Sequence, residues 1–169
     1  EFKTAHGRTV RDGGGITPDV TIEGHDYSRL TYSLVYSGII QEYALDFVRS
    51  HDSAEEDFHL ADKDWDGFVA FAKTKEFDYR SSAKTYFDRM KKELEKDGLS
   101  KNMSAELDAL QKALEMDKET FLKLKKDEIV PFIEEEIAVR YHFQEAGIKI
   151  RLRYDDQLKK ALASPMIEI

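Results

Sequence analysis

The residues whose spacing best suits chemistry are the alternating acids of Asp62–Gly67, which read Asp-Lys-Asp-Trp-Asp-Gly. Three acids in alternate positions followed by glycine match the first half of an EF-hand calcium loop. The twelfth position of such a loop needs a bidentate glutamate, but this chain has Lys73 there. Because a cation repels calcium, we interpret the segment as an acidic helix start, capped by Asp62 or Asp64.

The histidines do not form a metal-binding pattern. No HExxH or other close pair of metal ligands is present in the sequence. His142 lies beside Tyr141 on a predicted helix, and we expect it on a packed or polar face. The five histidines are His6, His25, His51, His59 and His142.

Serine chemistry requires an activated hydroxyl, a base and an oxyanion hole. Two serine–lysine pairs occur, Ser100-Lys101 and Ser82 with Lys84, but both lie in predicted helices without a glycine-rich loop. We interpret these serines as helix caps. The acid runs 55–57 and 134–136 are interpreted as solvated faces. We therefore assign no catalytic residue, no cofactor-binding residue and no metal ligand, and we expect no cofactor.

Composition excludes several classes of protein. The 169-residue chain carries a net charge of −8, which argues against a nucleic-acid partner. No apolar run approaches the length of a membrane span, and the absence of cysteine excludes disulfides. The chain begins at Glu1 without an initiator methionine, so we expect a processed or engineered boundary there.

The elements that must position these residues fall into two parts. Residues 1–24 alternate weakly and contain Gly13-Gly14-Gly15, which predicts a short strand and a turn. A lone strand needs a sheet, so we expect its partners to lie upstream. Residues 25–169 have helical periodicity. The predicted fold is therefore mainly α, a multi-helix domain preceded by a strand and turn remnant of an upstream sheet.

Turn and cap residues divide the helical part. Gly38 either separates two helices or is absorbed into one, and Lys75–Tyr79 ends the next helix. Further starts are predicted at Ser81 or Ser82, before Met103, at Asp117, and at Asp155 or Asp156, with Asp97-Gly98 as a stop. We expect Pro131 to kink or break the long helix near 127–130, Gly147 to end it, and Ile148, Ile150 and Leu152 to alternate briefly.

The segment Gly7–Val20 carries the pattern Gly-Arg-x-Val-x-Asp-Gly-Gly-Gly-Ile-x-Pro-Asp. This pattern resembles the strand segment of carboxyl-terminal processing peptidases, also called tail-specific proteases, in a bacterial branch with a helical extension after the peptidase core. Stretches similar to that extension follow in order: Phe58–Asp62 leading into Phe68–Phe71, then Glu135–Tyr141, then Asp156–Ala161.

The resemblance implies a parent serine peptidase with a Ser–Lys dyad, in which the lysine is the general base, and a PDZ domain that presents the substrate's C-terminus. In the family all three precede the Gly-Ile-x-Pro-Asp segment. This chain would then lack them and be inactive alone. Its partners would be the upstream peptidase and PDZ domains, and protein substrates would be reached through the parent.

In this interpretation residues 1–24 end the peptidase core, and residues 25–169 form a C-terminal helical domain for packing, oligomerisation (a homodimer among the options) or partner docking. The family is typically exported, so we expect the periplasm or cell envelope. The alternative is a free-standing helical interaction module without peptidase parentage, for which Gly7–Val20 would have no use.

Overall fold

The computed structural model describes residues 1–5, 7, 9–10, 21–24 and 26–163. At its start, strand β1 (Phe2–Lys3) pairs antiparallel with β2 (Thr9–Val10), with Phe2 opposite Val10 and Lys3 opposite Thr9. Gly7 adopts φ +79° in the connection. The predicted glycine-rich turn at 13–15 lies outside the described residues, so the upstream sheet stays a prediction.

The rest of the described chain is mainly helical, which confirms the predicted fold class. A 3₁₀ turn, Ser100–Met103, precedes α5. The helices are α1 (Arg29–Tyr36), α2 (Ile39–Ser50), α3 (Asp62–Lys73), α4 (Ser82–Lys96), α5 (Ser104–Leu114), α6 (Lys118–Leu124), α7 (Lys126–Arg153) and α8 (Asp156–Ala163). No helix of the described residues is long and apolar enough to cross a membrane.

Several predicted caps are observed. Gly38, at φ +75°, separates α1 from α2. The Ser81 side chain accepts from the N–H of Lys84, and the Asp117 side chain accepts from that of Thr120 at 2.9 Å. The predicted acidic cap of α3 is wrong, because the residue before its first turn is Ala61, which makes no side-chain cap bond. Asp62 and Asp64 lie inside that turn, where their charge still favours the positive helix end.

The core lies where α1, α2 and α3 meet the first part of α7. Ile129, Ile133 and Ile137 are fully buried along one face of α7, and α2 packs against this helix. Each such side chain stabilises the fold by about 1.5–3 kcal/mol through burial. Leu34 and Phe68 are also fully buried on the opposing helices. The core therefore fixes α7 as the central element of the domain.

Helix α7 is interrupted at His142 and Phe143, whose backbone angles are not helical. The chain folds back there, so that Gly147 lies against Val139 of the first half. Gly147 was expected to end the helix, which is wrong: it is buried inside the second half, where a Cβ would lie 2.4 Å from the Val139 Cγ2 atom. Glycine is needed here for close helix packing.

The predicted alternation of Ile148, Ile150 and Leu152 is also wrong. These residues are helical, and only Ile150 is buried, in a small cluster with Ala138 and Ala146. Three apolar residues at alternate positions fit a short strand, but they also fit a helix in which only one of the three is buried. So short a run therefore cannot decide between the two.

The proline break differs in position from the prediction. Lys125, between α6 and α7, has non-helical angles of φ −104° and ψ 17°, whereas residues 127–130 are helical. Pro131 therefore lies within α7. There it lacks the N–H that would bond to the Asp127 carbonyl and crowds that carbonyl, but the break in helical angles falls at Lys125 instead.

Candidate functional site

The most buried charged group of the described residues is Glu134, on the first half of α7, with a side chain 2% exposed. Its Oε1 atom accepts from the backbone N–H of Leu60 at 2.8 Å. Its Oε2 atom accepts from Arg153 Nη1 at 3.0 Å and from the Tyr154 hydroxyl at 2.7 Å. Both oxygens are engaged, so this carboxylate joins the loop before α3 to the end of α7 and is not a free base.

The donors around Glu134 are held in turn. Burial, followed by the hydrogen bond and negative charge of Glu134, raises the pKa of Tyr154 to about 12, so the tyrosine remains a protonated donor at neutral pH. Arg153 also donates to the Phe58 carbonyl at 3.0 Å and pairs with Asp57. The group is therefore a structural joint with no unoccupied reactive atom on its carboxylate.

A second carboxylate joint fixes the start of α1. Glu128 Oε2 accepts from the Ser28 N–H at 2.8 Å and from the Thr31 hydroxyl at 2.9 Å, while Oε1 accepts from Lys125 at 2.6 Å. Burial opposes ionisation and is the largest single influence, but the hydrogen bonds from Lys125, Ser28 and Thr31 together lower the pKa of Glu128 to about 2. The Glu128 side chain therefore makes these hydrogen bonds as an ionised carboxylate.

The acid run 134–136 was interpreted as a solvated face, which is wrong. Glu134 is buried, Glu135 pairs with Arg151, and Glu136 pairs with Arg140. The error has a physical cause: the fold-back at 142–143 brings Arg151 against the same run sixteen residues earlier. The arginines that follow the run in the sequence could have suggested ion pairs with these acids. The pair between Glu135 and Arg151 depends, however, on the fold-back at 142–143, which the apolar periodicity does not reveal.

A groove of about 730 Å³ lies between the segment before α1 and the fold-back of α7. Phe132, Ile40 and Val35 contribute its apolar part. Several of its acids already have structural roles, including Asp155, which caps α8 through the N–H of Leu158 at 2.9 Å. The acids that line it are Glu23, Asp127, Glu135, Glu136, Asp155 and Asp156.

The calcium-like segment Asp62–Gly67 is helical rather than a loop. Asp62 pairs with Lys126 at 2.7 Å, and the carbonyl of Asp64 accepts from the Tyr43 hydroxyl at 2.6 Å. Through these contacts the segment attaches α3 to α7 and to α2. The expectation that it does not bind calcium stays a prediction.

The histidines of the described chain also serve local contacts. His142 Nε2 lies 2.6 Å from the Ala54 carbonyl oxygen, and His51 stacks on Phe47 with ring centroids 3.9 Å apart. Among the described residues, no group of three or more His, Asp or Glu side chains is arranged to hold a metal ion. His6 and His25 lie outside the described residues.

The serine–lysine pairs lie in helical segments, as predicted. Ser82 opens α4, and the Lys84 ammonium pairs with Asp88 at 2.5 Å. Ser100 and Lys101 are the first two residues of the 3₁₀ turn. The cap of α4 is Ser81, which is one of the two predicted positions, and the residue before the 3₁₀ turn is Leu99. The interpretation of Ser82 and Ser100 as caps is therefore wrong.

Residues 30–164 match the protein family described as "Probable PDZ-protease, C-terminal helical domain". The chain belongs to this family. The match confirms the resemblance to a C-terminal region of a processing peptidase. No curated protein and no solved structure shows significant similarity to the chain. The division at residue 24/25 stays a prediction.

The PDZ-protease helical domain exposes several large apolar side chains. Tyr36 is 84% exposed and stacks on Tyr32 with centroids 6.1 Å apart. Phe143 is 82% exposed at the fold-back, and Tyr86 is 67% exposed on α4. These three side chains lie on different helices, and only a contiguous apolar patch would mark a contact site.

Proposed function

We propose that this chain is the non-catalytic C-terminal part of a tail-specific serine peptidase of the Ser–Lys type, and that its helical domain holds or docks other parts of that enzyme. One contrast carries the proposal. The buried carboxylate of Glu134 and the partly buried carboxylate of Glu128 are engaged by structural donors, whereas aromatic side chains such as Tyr36 are left in solvent. Membership of the PDZ-protease family supports the protease origin.

The finer parts of the proposal follow from the resemblance of Gly7–Val20. The Ser, the Lys and the PDZ domain would lie upstream of this chain, and protein substrates would reach the site through them. The parent would be exported to the periplasm or cell envelope. A net charge of −8 gives no support to a nucleic-acid partner.

The face most favourable for contact with the parent's peptidase core is the exposed side of α1. This helix directly follows residues 1–24, the segment that resembles the end of the peptidase core. Tyr32 and Tyr36 stack on that side and are 44% and 84% exposed. If the peptidase core packed on the rings of Tyr32 and Tyr36, a large apolar area would be removed from water without any change in the core of the helical domain.

The catalytic part of the proposal is tested on the purified chain with an unstructured C-terminal peptide as substrate. We expect no cleavage. Cleavage that a single Ser→Ala change in this chain abolishes would contradict the proposal, since the nucleophile would then lie here.

The proposed docking role is tested by mixing the purified chain with a parent protein that lacks residues 25–169 and measuring the affinity between the two. We expect the two pieces to bind, and Tyr32→Ser with Tyr36→Ser to weaken binding at least about tenfold. The matched control is Tyr86→Ser with Met90→Ser on α4, which should leave this binding unchanged. Equal binding by all variants would refute the assignment to α1.

A further inference from the structure

The fold-back of α7 is a short hinge in which only His142 and Phe143 depart from helical angles. Phe143 has φ 63° and ψ −170°, a backbone region that is essentially reserved for glycine. Among the described residues it is the one non-glycine residue with a positive φ. Its side chain is 82% exposed, so packing of the ring does not hold the backbone there. The strain is therefore imposed by the contacts that keep the two halves of α7 together.

The second half of α7 and helix α8, residues 144–163, form a C-terminal arm that this hinge joins to the rest of the domain. The apolar contact of the arm with the first half of α7 is small: Ala146 and Ile150 meet Ala138 in a cluster that shares no member with the domain core. The core side of α7 faces elsewhere, since Ile133 and Ala138 are about 140° apart around the helix axis. The arm can therefore leave the domain without uncovering its core.

Polar contacts fasten the arm at several further points. Arg151 pairs with Glu135 on the first half of α7, and Lys149 pairs with Glu56 in the loop before α3. The joint around Glu134 adds two donors from the end of α7. Because these contacts require particular side chains at particular positions, the segment that fits them all is this arm, whether from the same copy or from another.

Relaxing His142 and Phe143 to helical angles would remove the strain and make α7 one continuous helix. On such a helix Ala138, Ala146 and Ile150 fall within about 120° of one another, which makes a single apolar side. Two copies placed antiparallel, with a two-fold axis at the hinge, would cover this side for each other. Each arm would then run antiparallel to the first half of a partner's α7, as it does to its own in the folded-back chain.

We propose that the C-terminal arm is exchanged between two copies of the chain, each placing its arm on the first half of the other's α7. Arm and domain make the same contacts in both forms, so the balance depends on the hinge and on concentration. The folded-back monomer keeps Phe143 strained, whereas the exchanged dimer relieves two such hinges at the cost of association. The inference goes beyond the proposed function, because it depends on the hinge and not on an upstream peptidase.

The first test is sedimentation of the complete chain over about a hundredfold range of concentration, after equilibration at each concentration. We expect a monomer–dimer equilibrium for the wild type. Phe143→Gly should favour the monomer, because glycine accepts the hinge conformation and disfavours a continuous helix. With an effect of at least about tenfold at each of two hinges, the dissociation constant should rise about a hundredfold or more.

Phe143→Ala is the matched control for the loss of the ring. Alanine keeps the strain of a positive φ and favours the continuous helix, so this variant should dimerise at least as tightly as the wild type. An ordinary association through the exposed ring would instead be weakened by both changes. Circular dichroism and thermal melting establish that each variant is folded.

A charge exchange shows whether the arm itself passes between copies. Glu135→Arg and Arg151→Glu, in separate variants, each place like charges against each other, both within one copy and between two copies of the same variant. In a mixed exchanged dimer both pairs are again of opposite charge, so native mass spectrometry should show the mixed dimer at least about fivefold above its statistical share. The matched control is Lys84→Glu mixed with Asp88→Lys, because this pair lies within α4 and arm exchange cannot restore it.

Three results would overturn the inference: a wild-type chain that stays monomeric over the whole range, a dimer that Phe143→Gly weakens no more than Phe143→Ala does, or a mixture of the Glu135 and Arg151 variants that forms no more mixed dimer than the α4 control. None of them bears on whether the parent's chemistry lies upstream, which the binding and cleavage assays described above test separately.

Discussion

Replacing Glu134 tests whether its carboxylate holds the domain together. Glu134→Ala removes three hydrogen bonds, from Leu60, Arg153 and Tyr154. Bonds to a charged group contribute about 1.5–3 kcal/mol each, but these share one carboxylate and are not additive. Removing one partner of a buried ion pair costs about 3–5 kcal/mol, which we take as the expected loss of unfolding free energy. For a chain of this length that corresponds to a fall in melting temperature of roughly 6–20 °C.

The assay is urea unfolding, followed by the fluorescence of Trp65, which is 3% exposed in the core, and by circular dichroism. Glu134→Gln should lose roughly half as much stability. Its amide oxygen can still accept from Leu60, but its NH₂ group would face the Arg153 donor. Glu95→Ala, on the exposed surface of α4, is the control and should stay within about 0.5 kcal/mol of wild type.

A loss below about 1 kcal/mol in Glu134→Ala would refute the reasoning. It would mean that Arg153 and Tyr154 are satisfied by water or by other groups when the carboxylate is absent. The joint between the loop before α3 and the end of α7 would then depend on apolar packing alone.

Three further predictions concern the same helix and its neighbours. Gly147→Ala should destabilise the domain by about 1–3 kcal/mol in urea unfolding, because its Cβ would meet Val139; an unchanged midpoint would show that the fold-back is looser than described. Phe143→Gly should raise stability by about 1 kcal/mol, because φ 63° with ψ −170° is a backbone region that favours glycine; calorimetry that shows a lower melting temperature would instead indicate a stabilising role of the ring. The pKa of Glu128 lies near 2 in the folded chain, against 4.5 as its ordinary value, so its stabilisation is complete above about pH 4.5 and is lost as pH falls toward 2. The free energy of unfolding, measured in urea between pH 6 and pH 2.5, should therefore fall by about 2.5 kcal/mol more in wild type than in Glu128→Gln; parallel profiles would contradict this.

Much of the helical fold could be predicted because its signals are local. Asp117 and Gly38 act within one turn of their own positions, and the apolar spacing of α2 and α7 follows directly from the helix period. These elements appear where the caps and breaks of the sequence place them, within a few residues.

The fold-back of α7 could not be predicted because its cause is tertiary. His142 and Phe143 are not residues that usually end helices, whereas Gly147, which often does, is used for close packing against Val139. The burial of Glu134 follows from the same turn, since only the returning chain supplies Arg153 and Tyr154. Apolar spacing on α4 likewise did not reveal that Tyr86 and Met90 face solvent.

The most direct test of the central claim is single-turnover acylation of the parent peptidase with and without residues 25–169. The claim is that this helical domain docks and holds, while the chemistry lies upstream. We predict that the truncated parent forms the acyl-enzyme at a rate within about twofold of the complete protein, while its melting temperature or its assembly falls. A truncated parent that stays folded and assembled but loses its acylation step would contradict the claim, because the helical domain would then contribute directly to catalysis.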